Sequence, residues 1–474
     1  MSDAAAAGAR RVAGAGAPGG AGERGNAAHS AGGGGAPGGL DARGGERGRD
    51  GDGAYAYEIA HGVLAGLDEI AGIGADAARG GFSRHLWNGA DLELREWFTA
   101  RAAAVGLDIE ADRNGNLWAW WGTPGPGAVV TGSHLDSVPG GGAYDGPLGV
   151  VSALDAVRRL RASGFQPTKP LAVVMFAEEE GSRFGVACLG SRLMTGVLDP
   201  SRARNLRDAD GLSLAEAGAA AGFDVAGLGA DPAALERIGL FIELHVEQGR
   251  GLIDLDAPVA LASSVLAHGR WRLEFRGQGN HAGTTLMGDR RDPMIAAARA
   301  VEAVQQVALA MPGARATVGR LEAVPGGTNV IASAVRVWLD ARADSDDETR
   351  MLVAEIERRA GATSFAEESW SGRVEFDAPL RERLRAQLTA DAARAAVGIE
   401  SGSAGDASVA ALLSIPVLAT GAGHDAGVLA GVVPTAMLFV RNPTGISHAP
   451  EEFAELADCL AGTDALESVL RGLL

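Results

Sequence analysis

Short uninterrupted apolar runs, separated by helical patterns, constrain what this chain can fold into more than any other feature. AVVTGS (128–133), PLAVVMFAEEE (170–180), LFIELHVEQG (240–249), PVLATGAGHDA (416–426) and PTAMLFVRN (434–442) each read as a buried strand. After the first, residues 145–164 place Leu148, Val151, Leu154, Val157 and Leu160 at helical spacing, with Gly164 as a stop. Strands without a polar face must be covered on both sides, which predicts an α/β fold with a mixed central sheet flanked by helices. A second texture interrupts this one. WRLEFR (271–276) and VRVWLDAR (335–342) alternate apolar and polar residues, with helices predicted over about 292–310 and 345–360. Alternation implies a sheet with one wet face, so residues 266–375 are predicted to form a small inserted α+β domain. The larger domain is then 55–265 together with 376–474. Residues 1–54 are rich in Gly, Ala and Arg and contain almost no large apolar side chains, so disorder is expected there. His29 lies in that stretch and is given no role.

A length of 474 residues exceeds what one hydrophobic core usually serves, and 46% apolar content is that of a globular protein. No apolar run is long enough to span a membrane, and the N-terminus lacks a charged-then-apolar signal pattern, so a cytoplasmic protein is expected. The formal charge of −18 disfavours nucleic acid and anionic membranes as partners. Two cysteines, Cys188 and Cys459, cannot build a disulfide framework or a cysteine-based zinc site. Any metal must be held by histidine and carboxylates.

Functional residues of open α/β sheets gather beyond the C-terminal ends of the strands. Here His134 and Asp136 follow the first strand, Glu178, Glu179 and Glu180 end the second, and Glu243, His245 and Glu247 end the third. His448 lies in the loop after the last strand. A lone histidine is more often structural than a ligand, and a glutamate triplet is usually solvated. Their conjunction at a few strand ends, in a chain with 9 histidines, is harder to dismiss. Crowded carboxylates repel one another unless cations sit between them. Zn²⁺ and Mn²⁺ accept mixed imidazole and carboxylate shells. The stretch DSVPGGGAYDG (136–146) matches neither phosphate-binding glycine pattern. Its glycines permit a sharp turn that aims Asp145 back at His134, although Asp145 is also placed as a helix N-cap.

TGSHLDSVPGGGAYDGPLGV (131–150), AEEEGSRF (177–184), ELHVEQG (243–249), NHAGTT (280–285) and GISHAPEE (445–452) resemble, in order, the amidase branch of the M20 metallopeptidase-like family. That branch contains allantoate amidohydrolases, N-carbamoyl-L-amino-acid hydrolases and β-ureidopropionases. The resemblance implies two divalent cations, Zn²⁺ or Mn²⁺, held by His134, Asp145, Glu180, His245 and His448, with Asp145 as the bridge. It further implies that Asp136 orients His134, that Glu179 is the general base and that Gln248 lines the site. In the inserted domain, His281 resembles an oxyanion-stabilising histidine presented to the neighbouring subunit. Asn329 and Arg342 resemble residues that grip a substrate carboxylate, Arg342 alternatively being an ordinary surface arginine. Gly421 and Ala422 are expected to add backbone contacts, while His424 is a ligand by residue type only.

Leu286 and Ala332 depart from the family pattern, each standing where proline is common. The implied activity is hydrolysis of a linear amide, ureido or carbamoyl C–N bond in a small carboxylate-bearing molecule. Allantoate is the first expectation and an N-carbamoyl-L-amino acid the second, ahead of an N-formyl or N-formimino amino acid. The tryptophan-rich NLWAWWG (116–122) resembles sequences of allantoate amidohydrolases. An M20 exopeptidase ranks lower, because only ten residues separate His134 from Asp145 and because position 245 is histidine. A non-catalytic relative would have lost Glu179 or a ligand. Homodimerisation through 266–375, which would also act as a lid, is a further implication.

Overall fold

The computed structural model describes residues 62–399 and 415–474, which belong to one compact unit. The expectation of disorder over 1–54 and the positions of His29 and His61 lie outside the described residues. Strands β1 (Asp108–Ala111), β2 (Leu117–Trp121), β3 (Ala128–His134), β4 (Leu171–Phe176), β5 (Ile238–Val246) and β6 (Val259–Val265) come first in the chain. They are followed by β7 (Ala267–Arg276), β8 (Asn280–His281), β9 (Arg315–Val324), β10 (Val330–Ile331), β11 (Ala334–Ala343) and β12 (Ser364–Ser371). The last three are β13 (Val374–Glu375), β14 (Val417–Thr420) and β15 (Thr435–Val440).

The large sheet runs β1-β2-β4-β3-β5-β15-β6-β13, with β14 also paired to β6. β4, β3, β5 and β15 are parallel neighbours, whereas β1, β2, β6 and β13 join antiparallel, so the sheet is mixed. Every position of β3, β4 and β15 is buried, as strands covered on both faces require. Helices Pro147–Ala162 and Leu456–Leu473 pack together against one face. On the other face Trp118 and Trp120 stack with ring centroids 5.9 Å apart, in a core shared with Phe176 and Phe241. The tryptophan-rich stretch is thus a strand of the core.

The small sheet runs β12-β7-β11-β9 and is antiparallel throughout. Its inward residues, including Trp271, Leu273, Phe275, Val335, Val337 and Leu339, bury against helices Pro293–Ala310 and Asp346–Ala360. Those helices start where Asp292 and Ser345 accept backbone N–H groups of Met294 and Glu348. The opposite face carries Arg270, Asp340 and Arg342, all partly exposed. β13 then returns to the large sheet beside β6. Among the described residues no helix is long and apolar enough to cross a membrane.

Candidate metal centre and active site

The parallel order of β4, β3, β5 and β15 delivers four C-terminal ends to one edge. His134 is the last residue of β3, His245 lies near the end of β5, the glutamates follow β4, and His448 follows β15. Two groups of ligating side chains result: His134, Asp145 and His245, then Asp145, Glu180 and His448. Asp145 belongs to both.

Its Oδ1 lies 3.6 Å from His134 Nε2 and 3.3 Å from His245 Nε2. Its Oδ2 lies 3.4 Å from His448 Nε2, which is also 3.4 Å from Glu180 Oε2. Neighbouring donors around a four-coordinate cation with bonds of about 2.1 Å are separated by about 3.4 Å. The buried Nε2 atoms of His134 and His245 make no hydrogen bond among the described residues. Their Nδ1 atoms, by contrast, face the carbonyl oxygens of Asp136 at 3.0 Å and Val246 at 2.9 Å. Such contacts fix the tautomer that leaves Nε2 free to ligate. The residues fit a pair of cations.

The N-cap alternative for Asp145 fails. Helix Pro147–Ala162 is capped by Gly146 at φ 84°, with no side-chain cap. A Cβ at Gly146 would lie 2.4 Å from His134 Cε1, so both backbone conformation and space demand glycine. Asp136 orients His134 through its backbone carbonyl, and its carboxylate Oδ1 stands off at 3.5 Å. The two carboxylate oxygens instead accept the amide N–H groups of Glu179 at 3.1 Å and Glu180 at 3.0 Å. One aspartate thereby ties the β3 end to the β4 end.

The glutamate triplet is not a solvated face. Glu178 is fully buried at φ 54°, and its Oε1 accepts the amides of Arg183 and Phe184, shaping the turn. Glu179 points Oε2 at His134 Nε2, 3.6 Å away, and its Oε1 accepts from Cys188 Sγ at 3.3 Å. Glu180 faces His448. Burial lifts the Glu179 and Glu180 carboxyls well above the usual range, with nearby His134 opposing in both. Burial also pushes Asp145 upward, but the imidazoles of His134 and His245 facing it outweigh burial and hold this carboxyl well below its ordinary value. For His134 burial disfavours the charged form, yet Glu179, Asp136 and Asp145 raise its pKa well above normal. These opposed shifts are those of buried acids and imidazoles competing for positive charge.

His424 was a ligand candidate by type. It is buried, with its ring 4.5 Å from that of His245, in a third group with Glu243. Glu243 already accepts from Ser133 Oγ and the Ala426 amide. The stretch 416–426 is a strand only over β14; helix Asp425–Leu429 follows, with His424 as its N-cap.

A cavity of about 850 Å³ opens beside His448, with Gln248, Arg342, Gly421 and Ala422 in its wall. Gln248 donates to Asp145 Oδ2 at 2.7 Å. Arg342 holds both oxygens of Asp340, at 2.7 and 3.1 Å, and donates to the Gly421 carbonyl. His281 and Asn329 do not line this cavity. They sit on an exposed two-stranded ribbon in which β8 pairs with β10, and the Asn329 carbonyl accepts from the Ala282 amide. Of the histidines that match no motif, His85 meets Ser182 Oγ at 2.8 Å and His268 the Leu266 carbonyl at 3.0 Å.

With this geometry established, residues 130–472 match the model of peptidase family M20/M25/M40. The chain belongs to this family. It is 34% identical to an N-carbamoyl-L-amino acid amidohydrolase of Geobacillus stearothermophilus, over 84% of this chain and 95% of that protein. It is 33% identical to the allantoate amidohydrolase of Escherichia coli K12, over 85% of this chain and 95% of the relative. The structure of a hydantoinase/carbamoylase family amidase from Burkholderia vietnamiensis superposes with a TM-score of 0.74 at 30% identity, covering 87% of this chain and 96% of that one. The chain is an amidohydrolase of carbon–nitrogen bonds outside peptides.

One residue of this M20 site escaped sequence reasoning although it lies in the quoted GISHAPEE. Glu452 Oε1 accepts the amides of Tyr144 and Asp145 at 3.0 and 2.9 Å, and its Oε2 accepts from Ser447 Oγ. Ser447 also lies 3.0 Å from Asp145 Oδ2. The partners are some three hundred residues apart in sequence, so no local signal could reveal them. Removing a partner that orients a ligand typically costs about 10–100-fold in metal affinity. Glu452→Ala is therefore expected to weaken metal binding by about that factor, read by competition with a chromogenic chelator. Unchanged affinity would leave Glu452 a purely structural residue.

Proposed function

We propose that this M20 amidohydrolase holds two divalent cations, Zn²⁺ or Mn²⁺, through His134, Asp145, Glu180, His245 and His448. The observation that carries this reading is the shared Asp145, with three donor–donor separations of 3.3–3.6 Å to it and a fourth of 3.4 Å between His448 and Glu180. When bound, such a pair activates water and polarises the scissile carbonyl. The chain's own residues do the rest. Glu179 Oε2 takes the proton of the attacking water and returns it to the leaving nitrogen. Burial suits it to this task, because a raised carboxyl pKa lets one group act as base and then as acid near neutral pH. Cys188 and the Asp136–Glu179 amide contact keep its carboxylate in place.

The proposed substrate is a small ureido or carbamoyl compound bearing a carboxylate, allantoate first and an N-carbamoyl-L-amino acid second. Similarity to relatives named for both supports this substrate class. Purified protein loaded with Mn²⁺ or Zn²⁺ is expected to release ammonia from allantoate. Inactivity on allantoate with turnover of N-carbamoyl amino acids would reverse the order, and dipeptide cleavage at a comparable rate would replace both.

We further propose a homodimer in which His281 and Asn329 of one subunit complete the site of the other. They stand on an exposed ribbon flanked by Leu286 and Met287, which are 73% and 77% exposed. Large apolar side chains so exposed are candidates for burial between subunits. A monomeric mass by light scattering would refute this arrangement.

A further inference from the structure

We propose that a surface cavity remote from the metal centre binds a phosphoryl group, carried by inorganic phosphate or by a small phosphate monoester. The cavity measures about 440 Å³ and is walled by Arg101, Ala104, Val105, Gly106, Arg158 and Arg161. It lies where helices Gly89–Ala104 and Pro147–Ala162 both end. The second helix has 16 residues, which at 1.5 Å each puts the cavity about 24 Å from the turn that carries Asp145. Neither the cations nor the proposed substrate enters this inference.

Three partly buried arginines around one cavity stand out in a chain of formal charge −18. An ordinary role would be to cap the two helix ends, where unpaired carbonyls gather. The backbone already closes those carbonyls. The amides of Val105, Leu107 and Gly106 donate to the carbonyls of Arg101, Ala102 and Ala103. Those of Ser163, Phe165 and Gly164 donate to Arg159, Leu160 and Arg161. Among the described residues Arg161 donates only through Nη2, to the Gly106 carbonyl at 2.8 Å.

Charge balance singles out Arg161. Arg101 meets Glu69 at 2.8 Å and Arg158 meets Asp155 at 2.7 Å, whereas Arg161 forms no ion pair among the described residues. Its guanidinium lies over the Trp121 ring, 4.5 Å from the centroid. It also lies so close to Gly106 that a Cβ there would come within 2.7 Å of Nη1. Ring and glycine thus hold the guanidinium in place while leaving its charge uncompensated. Such a planar fork pairs two donors with two oxygens of a phosphoryl group. A phosphoryl group has three acceptor oxygens and close to two negative charges, enough to engage Arg101 and Arg158 as well. Ala104 and Val105 offer a small organic body an apolar wall.

Calorimetric titration of the metal-loaded protein in phosphate-free buffer tests this, with inorganic phosphate and phenyl phosphate as probes. Loss of one charged hydrogen-bonded contact supports an expected weakening of about 10–100-fold in Arg161→Ala and in Arg158→Gln. Arg158→Gln leaves the contact between Arg161 and Trp121 in place, so it remains informative if Arg161→Ala fails to fold. A wild-type thermal midpoint in either variant shows that lost binding is not unfolding. Tighter binding of the ester would assign the cavity to organic phosphates, and equal affinity to phosphate itself. Absence of binding to wild type would overturn the inference. Equal affinity in wild type and the folded variants, as phosphate held only at the metal centre would give, would overturn it too.

Discussion

Glu179→Gln is expected to lower kcat by about 10²–10⁴-fold while leaving metal content unchanged, the range that general acid–base transfer supplies. Glu179 stands beside the metal centre, 3.6 Å from His134 Nε2, yet belongs to neither group that shares Asp145. Glutamine keeps its shape and its backbone tie to Asp136, and it removes a carboxyl whose ionised form is disfavoured by burial. The variant should therefore fold at least as stably as wild type. Kinetics, elemental analysis and a thermal melt on one preparation separate the cases. Activity within a few-fold of wild type would remove Glu179 from the role of base; loss of metal would make it a ligand.

Asp145→Ala should have the other large effect, because one carboxylate serves both groups. Turnover is expected to vanish, and elemental analysis should find metal lost from both positions; full retention of two ions would refute the bridge. Chelation of wild type should expose the same dependence through pH. Burial pushes Glu178 and Asp425 up to about 8 and Glu452 up to about 7. In the unfolded chain such carboxyls titrate near about 4. Between about pH 5 and 8 the metal-free folded state then binds more protons than the unfolded state, so its stability falls as pH rises. His134, raised above its unfolded value, contributes in the same direction. Asp145, depressed, adds stability lost only on acidification below this window. Bound cations supply the missing positive charge, and ligands shed protons as pH rises, so the metal's stabilisation grows across the window. It reaches about 4 kcal/mol at a thousand-fold excess over Kd. Thermal midpoints at pH 5.5 and 8, with and without chelator, should diverge; parallel curves would contradict the charge argument.

Much of this site was legible in order of residues because strand ends are local features. An apolar run followed by His134, by Glu178–Glu180 or by His448 announces both a buried strand and what stands at its end. β1, β6, β9 and β12 were not legible. β9 and β12 are largely exposed along their length, and β6 carries two serines, so neither alternation nor an apolar run marks them.

By itself the sequence determined that buried strands alternate with helices and that histidines and acids follow their ends. These are properties of neighbouring residues and of period. Tertiary structure alone decided how those ends are used. The parallel register of β4, β3, β5 and β15 brings residues more than three hundred positions apart onto Asp145. Gly146 occupies the cap and frees that carboxylate to serve two groups at once. The physical reason is that a ligand is defined by which lone pairs remain unpaired after folding, and pairing is settled by packing in three dimensions.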